Sequence, residues 1–367
     1  MLKIIFVDTG YPINTRTEKF KKTLSKNFKS LVIAWSRNAN GKINDDTDAY
    51  ILRSDIGYGH KLMKLCCLPT FILHIYKTLK KENPDFLFLS HWDSLLCFVV
   101  ANFFFRSKAK IIYDCLDLPT SRNPLVLKVL LFIEKRCLKK VDLLILASRY
   151  YTQLYNHKNV MIFENYPSRE IINSLSNSPA WLSSLQEEKA NGVNFISWIG
   201  VVRYRDVLAN MIDTVHSVDV KILIFGDGPE LPFLREYVKE KQLIEKVLFF
   251  GRYSQMDLPY IYKITDLVWA AYPTLDFNAV YAISNKFFES SLFSKSPIIS
   301  KKTMMAQEIR KINGSAVIVN EFDVADITNE INNFFSSKEK TFSKYTPDIF
   351  WEEKTDELLN RVSAISF

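Results

Sequence analysis

Short, wholly apolar runs alternate along the chain with longer stretches in which apolar residues recur every three or four positions. Such alternation is the pattern of parallel strands, buried on both faces, joined by crossover helices. In the first half the pattern predicts strands at Lys3–Val7, Ser30–Ala34, Phe86–Ser90, Lys110–Tyr113, Leu143–Ala147 and Val160–Phe163. Phe20, Leu24 and Phe28 recur at a spacing of four and mark one face of a helix. Asn123-Pro124, a capping residue followed by proline in the first turn, predicts a helix running to about Lys140. A second series begins near Asn194, with strands at Phe195–Ile199, Lys221–Phe225, Val247–Phe250, Leu267–Ala271, Pro297–Ser300 and Ala316–Val319. The polar stretch Ser174–Asn194, rich in Ser, Asn and Glu, is the expected linker. The expected fold is α/β, two doubly wound domains facing a central cleft, at 1–180 and 190–345, with 346–367 as a closing segment. Ligands of such sheets bind at the carboxyl ends of the strands.

Composition supports two cores. The chain has 367 residues, 48% of them hydrophobic and 24% charged, which excludes a disordered or fibrous protein. Five cysteines, Cys66, Cys67, Cys97, Cys115 and Cys137, sit among apolar neighbours without metal-ligand spacing. They read as reduced thiols of a cytoplasmic protein. The opening residues Met1-Leu-Lys-Ile-Ile-Phe-Val7 read as a first buried strand rather than a signal peptide.

Charge changes the picture further. Residues 1–170 carry 27 basic against 15 acidic side chains, and residues 171–367 carry 21 against 25. A basic half points to an anionic partner: nucleic acid, a phospholipid surface or a phosphate-bearing substrate. No helix-turn-helix, zinc-finger or aromatic RNA platform is present, so nucleic acid is set aside. His60–Lys81, Leu95–Phe105 and Leu125–Ile133 with its following Lys135, Arg136, Lys139 and Lys140 mix or join apolar surface with cations. None reaches the roughly 20 apolar residues that span a bilayer. Buried helices with solvated ends, or peripheral docking on the anionic inner face of the cytoplasmic membrane, remain the two readings.

The most informative stretch runs from Ala282 to Ser300. A turn at Ser284 opens a helix that leads into the strand Pro297–Ser300. A helix N-terminus offers unpaired N–H groups and a positive dipole end, which suit a diphosphate. Lys286 adds a cation there, and Glu289, one turn on, is placed to accept bonds from ribose hydroxyls.

Here the chain resembles a family. Asn285-Lys286-Phe287-Phe288-Glu289, then Lys295-Ser296-Pro297-Ile298-Ile299, is similar to the donor-site block of retaining GT-B glycosyltransferases, family four in particular. The family usually has Pro at the position of Ser284 and pairs two glutamates; Tyr281 stands where the first would be. Phe195-Ile-Ser-Trp-Ile-Gly200-Val-Val-Arg203 resembles the first strand and diphosphate loop of the donor domain, with Gly200 for close approach and Arg203, or alternatively Arg205, for phosphate oxygens. The turn at Gly226-Asp-Gly228-Pro-Glu230 and the base-holding loop at Gly251-Arg252-Tyr253 have counterparts too. Asp266-Leu-Val-Trp-Ala-Ala-Tyr-Pro273 resembles the strand before the sugar site, which makes Asp276 and Asn278 polar candidates. In the first half, His91-Trp-Asp93 resembles the family's "H-x-D" loop, and Asp114 and Asp117 its acidic strand end. All four are candidates for the acceptor or the reacting sugar, or plain helix caps. Gly10 matches a flexible loop that Tyr11 would stiffen.

The resemblance implies two Rossmann-like domains of the GT-B fold. It also implies transfer of a sugar from a nucleotide-diphosphate donor, a UDP-sugar, to a glycan or lipid-linked glycan in polysaccharide biosynthesis, with the last helix crossing back to the first domain. No cofactor and no metal ion are expected, because no Asp-x-Asp motif follows a strand and no His/Cys cluster offers ligands. A GT-B protein that binds without transfer, or a nucleotide-sugar epimerase, remains the alternative.

Overall fold

Runs such as Ile4-Ile-Phe-Val7 and Phe86-Leu-Phe-Leu89 have no polar face, and in the computed structural model each lies wholly buried within a sheet. The structure describes residues 1–38, 48–57, 61–121, 123–173, 178–311, 316–337 and 344–365. The chain divides into two compact units, Met1–Glu164 with Lys354–Phe367, and Asn165–Glu353. It changes unit at Glu164, before the expected linker; residues 174–177 of that linker, and His60, lie outside the described residues.

The first unit holds strands β1 (Lys3–Asp8), β2 (Lys29–Ser36), β3 (Ala49–Arg53), β4 (Phe86–Ser90), β5 (Lys110–Cys115), β6 (Leu143–Leu146) and β7 (Val160–Ile162). They pair in parallel in the order β3-β2-β1-β4-β5-β6-β7, with Ile5 between Leu31 and Leu87. The order turns outward in both directions from β1 and β4, so their carboxyl ends form a switch point, where such sheets bind ligands. Helix α1 (Thr15–Leu24) begins where the Asn14 side chain accepts from the Thr17 N–H, 2.8 Å away. It ends at Leu24, short of the predicted face: Phe28 lies beyond it and packs on Phe86, ring centroids 5.3 Å apart. α2 (Lys61–Glu82), α3 (His91–Phe105) and α4 (Pro124–Cys137) follow. α4 continues as a tighter 3-10 turn over Leu138–Lys140, matching the predicted extent. The closing helix Thr355–Ala364 belongs to this unit.

The second unit holds β8 (Asn194–Ile199), β9 (Val220–Phe225), β10 (Val247–Gly251), β11 (Leu267–Trp269), β12 (Ser296–Ser300) and β13 (Val317–Val319), in parallel order β10-β9-β8-β11-β12-β13. Alternate residues serve opposite faces. Ile196, Trp198, Ile222 and Ile224 join one apolar cluster, while Phe195, Ile199, Leu223 and Phe225 join another. The switch point here lies between β8 and β11.

Candidate active site

Three of the predicted glycines meet at the carboxyl ends of β8, β9 and β10. The Gly200 N–H donates to the Phe225 carbonyl at 2.8 Å, the Val202 N–H to the Asp227 carbonyl at 2.9 Å, and the Gly226 N–H to the Gly251 carbonyl at 2.7 Å. The strand-end loops therefore pack backbone on backbone. A Cβ at Gly226, where φ is +144°, would lie 1.8 Å from the Gly200 oxygen, and one at Gly228 would lie 2.3 Å from the Val202 oxygen. Only glycine fits either place. The loops line a cavity of about 630 Å³, with Gly200, Val201, Gly226, Asp227, Gly228, Arg252 and Tyr253 as its walls. That volume lies in the ordinary range for small-molecule sites.

The helix Asn285–Leu292 starts beside this cavity, with Ser284 as its extended N-cap and Asn285 exposed at its first position. The Lys286 ammonium would touch a Cβ at Gly200, 3.5 Å away, so it reaches over the β8 loop. Among the described residues it makes no ion pair, and neither does Arg203, whose guanidinium stacks on Tyr204 at 4.7 Å. Arg205, by contrast, is committed: it pairs with Glu230 at 2.8 Å and lies 4.2 Å from the Phe233 ring centre. Arg252 pairs with Asp227 at 3.0 Å.

Glu289 is buried, and the Tyr262 hydroxyl donates to its Oε2 at 2.6 Å. Burial pushes the Tyr253 phenol up; Lys286 pulls it down, while Glu289 and Tyr272 push it further, which puts these groups in one neighbourhood. Asp276 caps the short helix Phe277–Tyr281, accepting from the Asn278 N–H at 2.9 Å. That loop has an anchor the sequence did not reveal. Glu321, almost fully buried, accepts from the Thr274 N–H at 2.7 Å and from its hydroxyl at 2.5 Å.

In the first unit the structure corrects two expectations. His91 and Asp93 belong to the first turn of α3, directly after β4, rather than to a loop; His91 has φ +67°. Asp114 is fully buried and held by Arg16, with Nε 2.9 Å from Oδ2 and Nη2 3.0 Å from Oδ1, while Nη2 also donates to the Phe163 carbonyl. That carboxylate is spent on a bidentate pair and is closed to a substrate. Asp117 is exposed.

What does gather at the β1/β4 switch point is different. Asp93 accepts from Thr9 Oγ1 at 2.8 Å and from Lys64 Nζ at 2.5 Å. Burial opposes its ionisation, yet Lys64, His91 and these bonds hold its carboxyl below the usual range. Buried Asp8 accepts from the Gly10 N–H at 2.9 Å and the Asn14 side chain at 2.7 Å, fixing the loop that carries Gly10 and the cis Tyr11–Pro12 peptide. Burial raises the Asp8 carboxyl, against the pull of His91 and the donated bonds. Sequence reasoning missed Asp8, Thr9 and Lys64, although Asp8 and Thr9 stand at a strand end where such groups are sought.

Two parallel, doubly wound units, with glycine loops at a switch point, place the chain in the GT-B class. Residues 183–347 match the family model for glycosyl transferases group 1. The chain is a glycosyltransferase. Among solved structures it is similar to Anabaena HepE in complex with UDP and glucose, at 15% identity and TM-score 0.72, over 99% of this chain and 100% of that one. It is also similar to sucrose-phosphate synthase from Thermosynechococcus elongatus, at 13% identity and TM-score 0.68, over 100% and 96%. The lipopolysaccharide outer core galactosyltransferase WaaB, in its apo form, matches at 12% identity and TM-score 0.65, over 99% of each chain. No curated protein matches in sequence.

Proposed function

We propose that the chain transfers a sugar from a UDP-sugar to a glycan or lipid-linked glycan, in polysaccharide biosynthesis, with retention of configuration in the manner of family four. One observation carries this reading: Lys286, at a helix N-terminus, reaches over Gly200 of a glycine-walled cavity, and neither it nor Arg203, on the loop that follows Gly200, makes an ion pair among the described residues. Two unneutralised cations at such a place suit a diphosphate. HepE, of the same fold, was solved with UDP and glucose. Glu289, oriented by Tyr262, accepts the ribose hydroxyls, and the Gly251-Arg252-Tyr253 loop holds the base. The loop with Asp276 and Asn278, anchored by Glu321, faces the sugar.

In the reaction the bond from sugar C1 to the β-phosphate oxygen breaks and a bond from C1 to the acceptor oxygen forms. The acceptor's proton passes to the leaving phosphate. Lys286, Arg203 and the helix N–H groups stabilise the charge that builds on that phosphate, so the scheme needs neither a metal ion nor a cofactor. His91, Asp93, Asp117, Gly10 and Tyr11 serve the acceptor, and Asp114 only the structure. Among the described residues no helix is long and apolar enough to cross a membrane. A cytoplasmic protein, peripheral at the inner face of the cytoplasmic membrane, fits a lipid-linked acceptor.

Calorimetric titration of UDP into the wild-type protein and Lys286→Ala tests the donor assignment. Loss of a charged hydrogen bond costs about 1.5–3 kcal/mol, so UDP should bind roughly ten- to a hundredfold more weakly. Equal affinities would refute the diphosphate role. Radiolabelled UDP-sugar must then yield labelled acceptor; an isomerised nucleotide sugar would mark an epimerase, and no turnover a binding protein.

A further inference from the structure

Helices α2, α3 and α4 connect β3 to β4, β4 to β5 and β5 to β6, all in the same sense across the sheet. Right-handed crossovers put all three on one face, where α2 packs on α3 and α3 on α4. An outer helix layer ordinarily turns polar residues to water. This one does not. Phe103 and Phe104, at the end of α3, are 79% and 71% exposed. Leu125, Val129 and Phe132 follow along α4 at 71%, 55% and 56%, one helical stripe, while Glu134 and Cys137 turn inward. Leu65 and Leu73 on α2 are exposed as well.

The charges on this layer are one-sided. Glu82 is held by Lys3 and Tyr50, Asp93 by Lys64 and Thr9, and buried Glu134 by the hydroxyls of Tyr113 and Tyr155. Exposed Lys77, Lys80, Arg106, Lys108, Lys128 and Lys135 make no ion pair among the described residues. Arg136 lies over the exposed Phe132 ring, 4.8 Å from its centre.

We infer that the α2–α3–α4 face is the surface by which the protein docks on an anionic lipid bilayer. Phenylalanines enter the boundary between headgroups and acyl chains, and the surrounding cations meet lipid phosphates. Packing against a second copy about a twofold axis would oppose cation to cation over the same area. The inference names the surface behind the peripheral location proposed above. It rests on that location and not on the donor chemistry.

Co-sedimentation with vesicles of mixed phosphatidylglycerol and phosphatidylcholine, against phosphatidylcholine alone, tests it at low and high salt. The wild-type protein should bind only the anionic vesicles, and less as salt rises. Phe103→Ser with Phe104→Ser should weaken that binding about tenfold or more, given the apolar area lost, with UDP affinity unchanged as the check on folding. Lys128→Glu with Lys135→Glu, which alters only exposed side chains, should remove most of the salt-dependent binding. Wild-type protein that ignores anionic vesicles at low salt would overturn the peripheral location itself. Wild-type binding that both variants retain would place the contact elsewhere and overturn this face. A wild-type dimer in sedimentation equilibrium that the phenylalanine variant dissolves would reassign the face to self-association.

Discussion

Replacing Gly226 by alanine should damage the donor site through the backbone alone. The residue directly follows β9 at φ +144°, and its N–H donates to the Gly251 carbonyl 2.7 Å away. The new methyl would stand 1.8 Å from the Gly200 carbonyl oxygen and 2.8 Å from its carbon. No flexible side chain lies in the way to yield, so the β8 and β9 loops must separate. The unfavourable backbone conformation costs about 1–3 kcal/mol. Forcing packed groups apart typically costs another 1–3 kcal/mol. The sum, about 2–6 kcal/mol, falls on the loops that wall the nucleotide cavity.

Gly251→Ala is the matched control. Its φ of +72° is also left-handed, but nothing lies within 4 Å of the added carbon, so only the conformational cost of about 1–2 kcal/mol applies. The second unit, Asn165–Glu353, is of a size for which each kcal/mol lowers Tm by about 2–4 °C. Scanning calorimetry should therefore place Gly226→Ala clearly below Gly251→Ala, and titration calorimetry should show UDP binding weakened mainly in the former. Two variants that melt together and bind UDP alike would refute the backbone-to-backbone packing on which the site is built.

Asp114→Ala leaves the buried Arg16 guanidinium without its counter-charge and should cost about 3–5 kcal/mol in urea unfolding, with UDP affinity intact. A stable variant that has lost transfer would restore Asp114 to the reaction. Transfer should survive EDTA, since Lys286 and Arg203 are assigned the leaving-group charge; loss on chelation that magnesium or manganese restores would refute this.

Much of the fold was legible because strands of a parallel sheet are buried on both faces and so read as unbroken apolar runs. β3 escaped although Ala49-Tyr-Ile-Leu52 is apolar: it is an edge strand, half-buried at best, and so short a run does not by itself declare a strand. The glycine loops were legible too, since a scarce glycine directly after a strand marks a close backbone approach. Pairings between distant positions were not. Asp114 stands at a strand end like a reactive acid, and only the tertiary fold brings Arg16, 98 positions earlier, against it. Glu321 reaches Thr274 across 47 positions in the same way. Local pattern fixes which element a residue joins, and long-range packing decides whether its charge is left for chemistry.

The same distinction governs the apolar segments of the first half. Leu95–Phe105 and Leu125–Ile133 are almost uniformly hydrophobic, and hydrophobicity alone cannot tell a core helix from one with an exposed apolar face. The answer comes from which residues the sheet takes. In α3 it takes Leu95, Cys97, Phe98 and Ala101, which leaves Phe103 and Phe104 outside; in α4 it takes Glu134 and Cys137, leaving Leu125, Val129 and Phe132. A helix that buries a glutamate and exposes Leu125, Val129 and Phe132 is arranged against the ordinary ranking of side chains by burial. Glu134 is satisfied by two tyrosine hydroxyls, so its burial is met from within. The exposed stripe has no such internal compensation. On the docking proposed above, the headgroup boundary of an anionic bilayer would cover the stripe, and its phosphates would meet the surrounding cations that make no ion pair among the described residues.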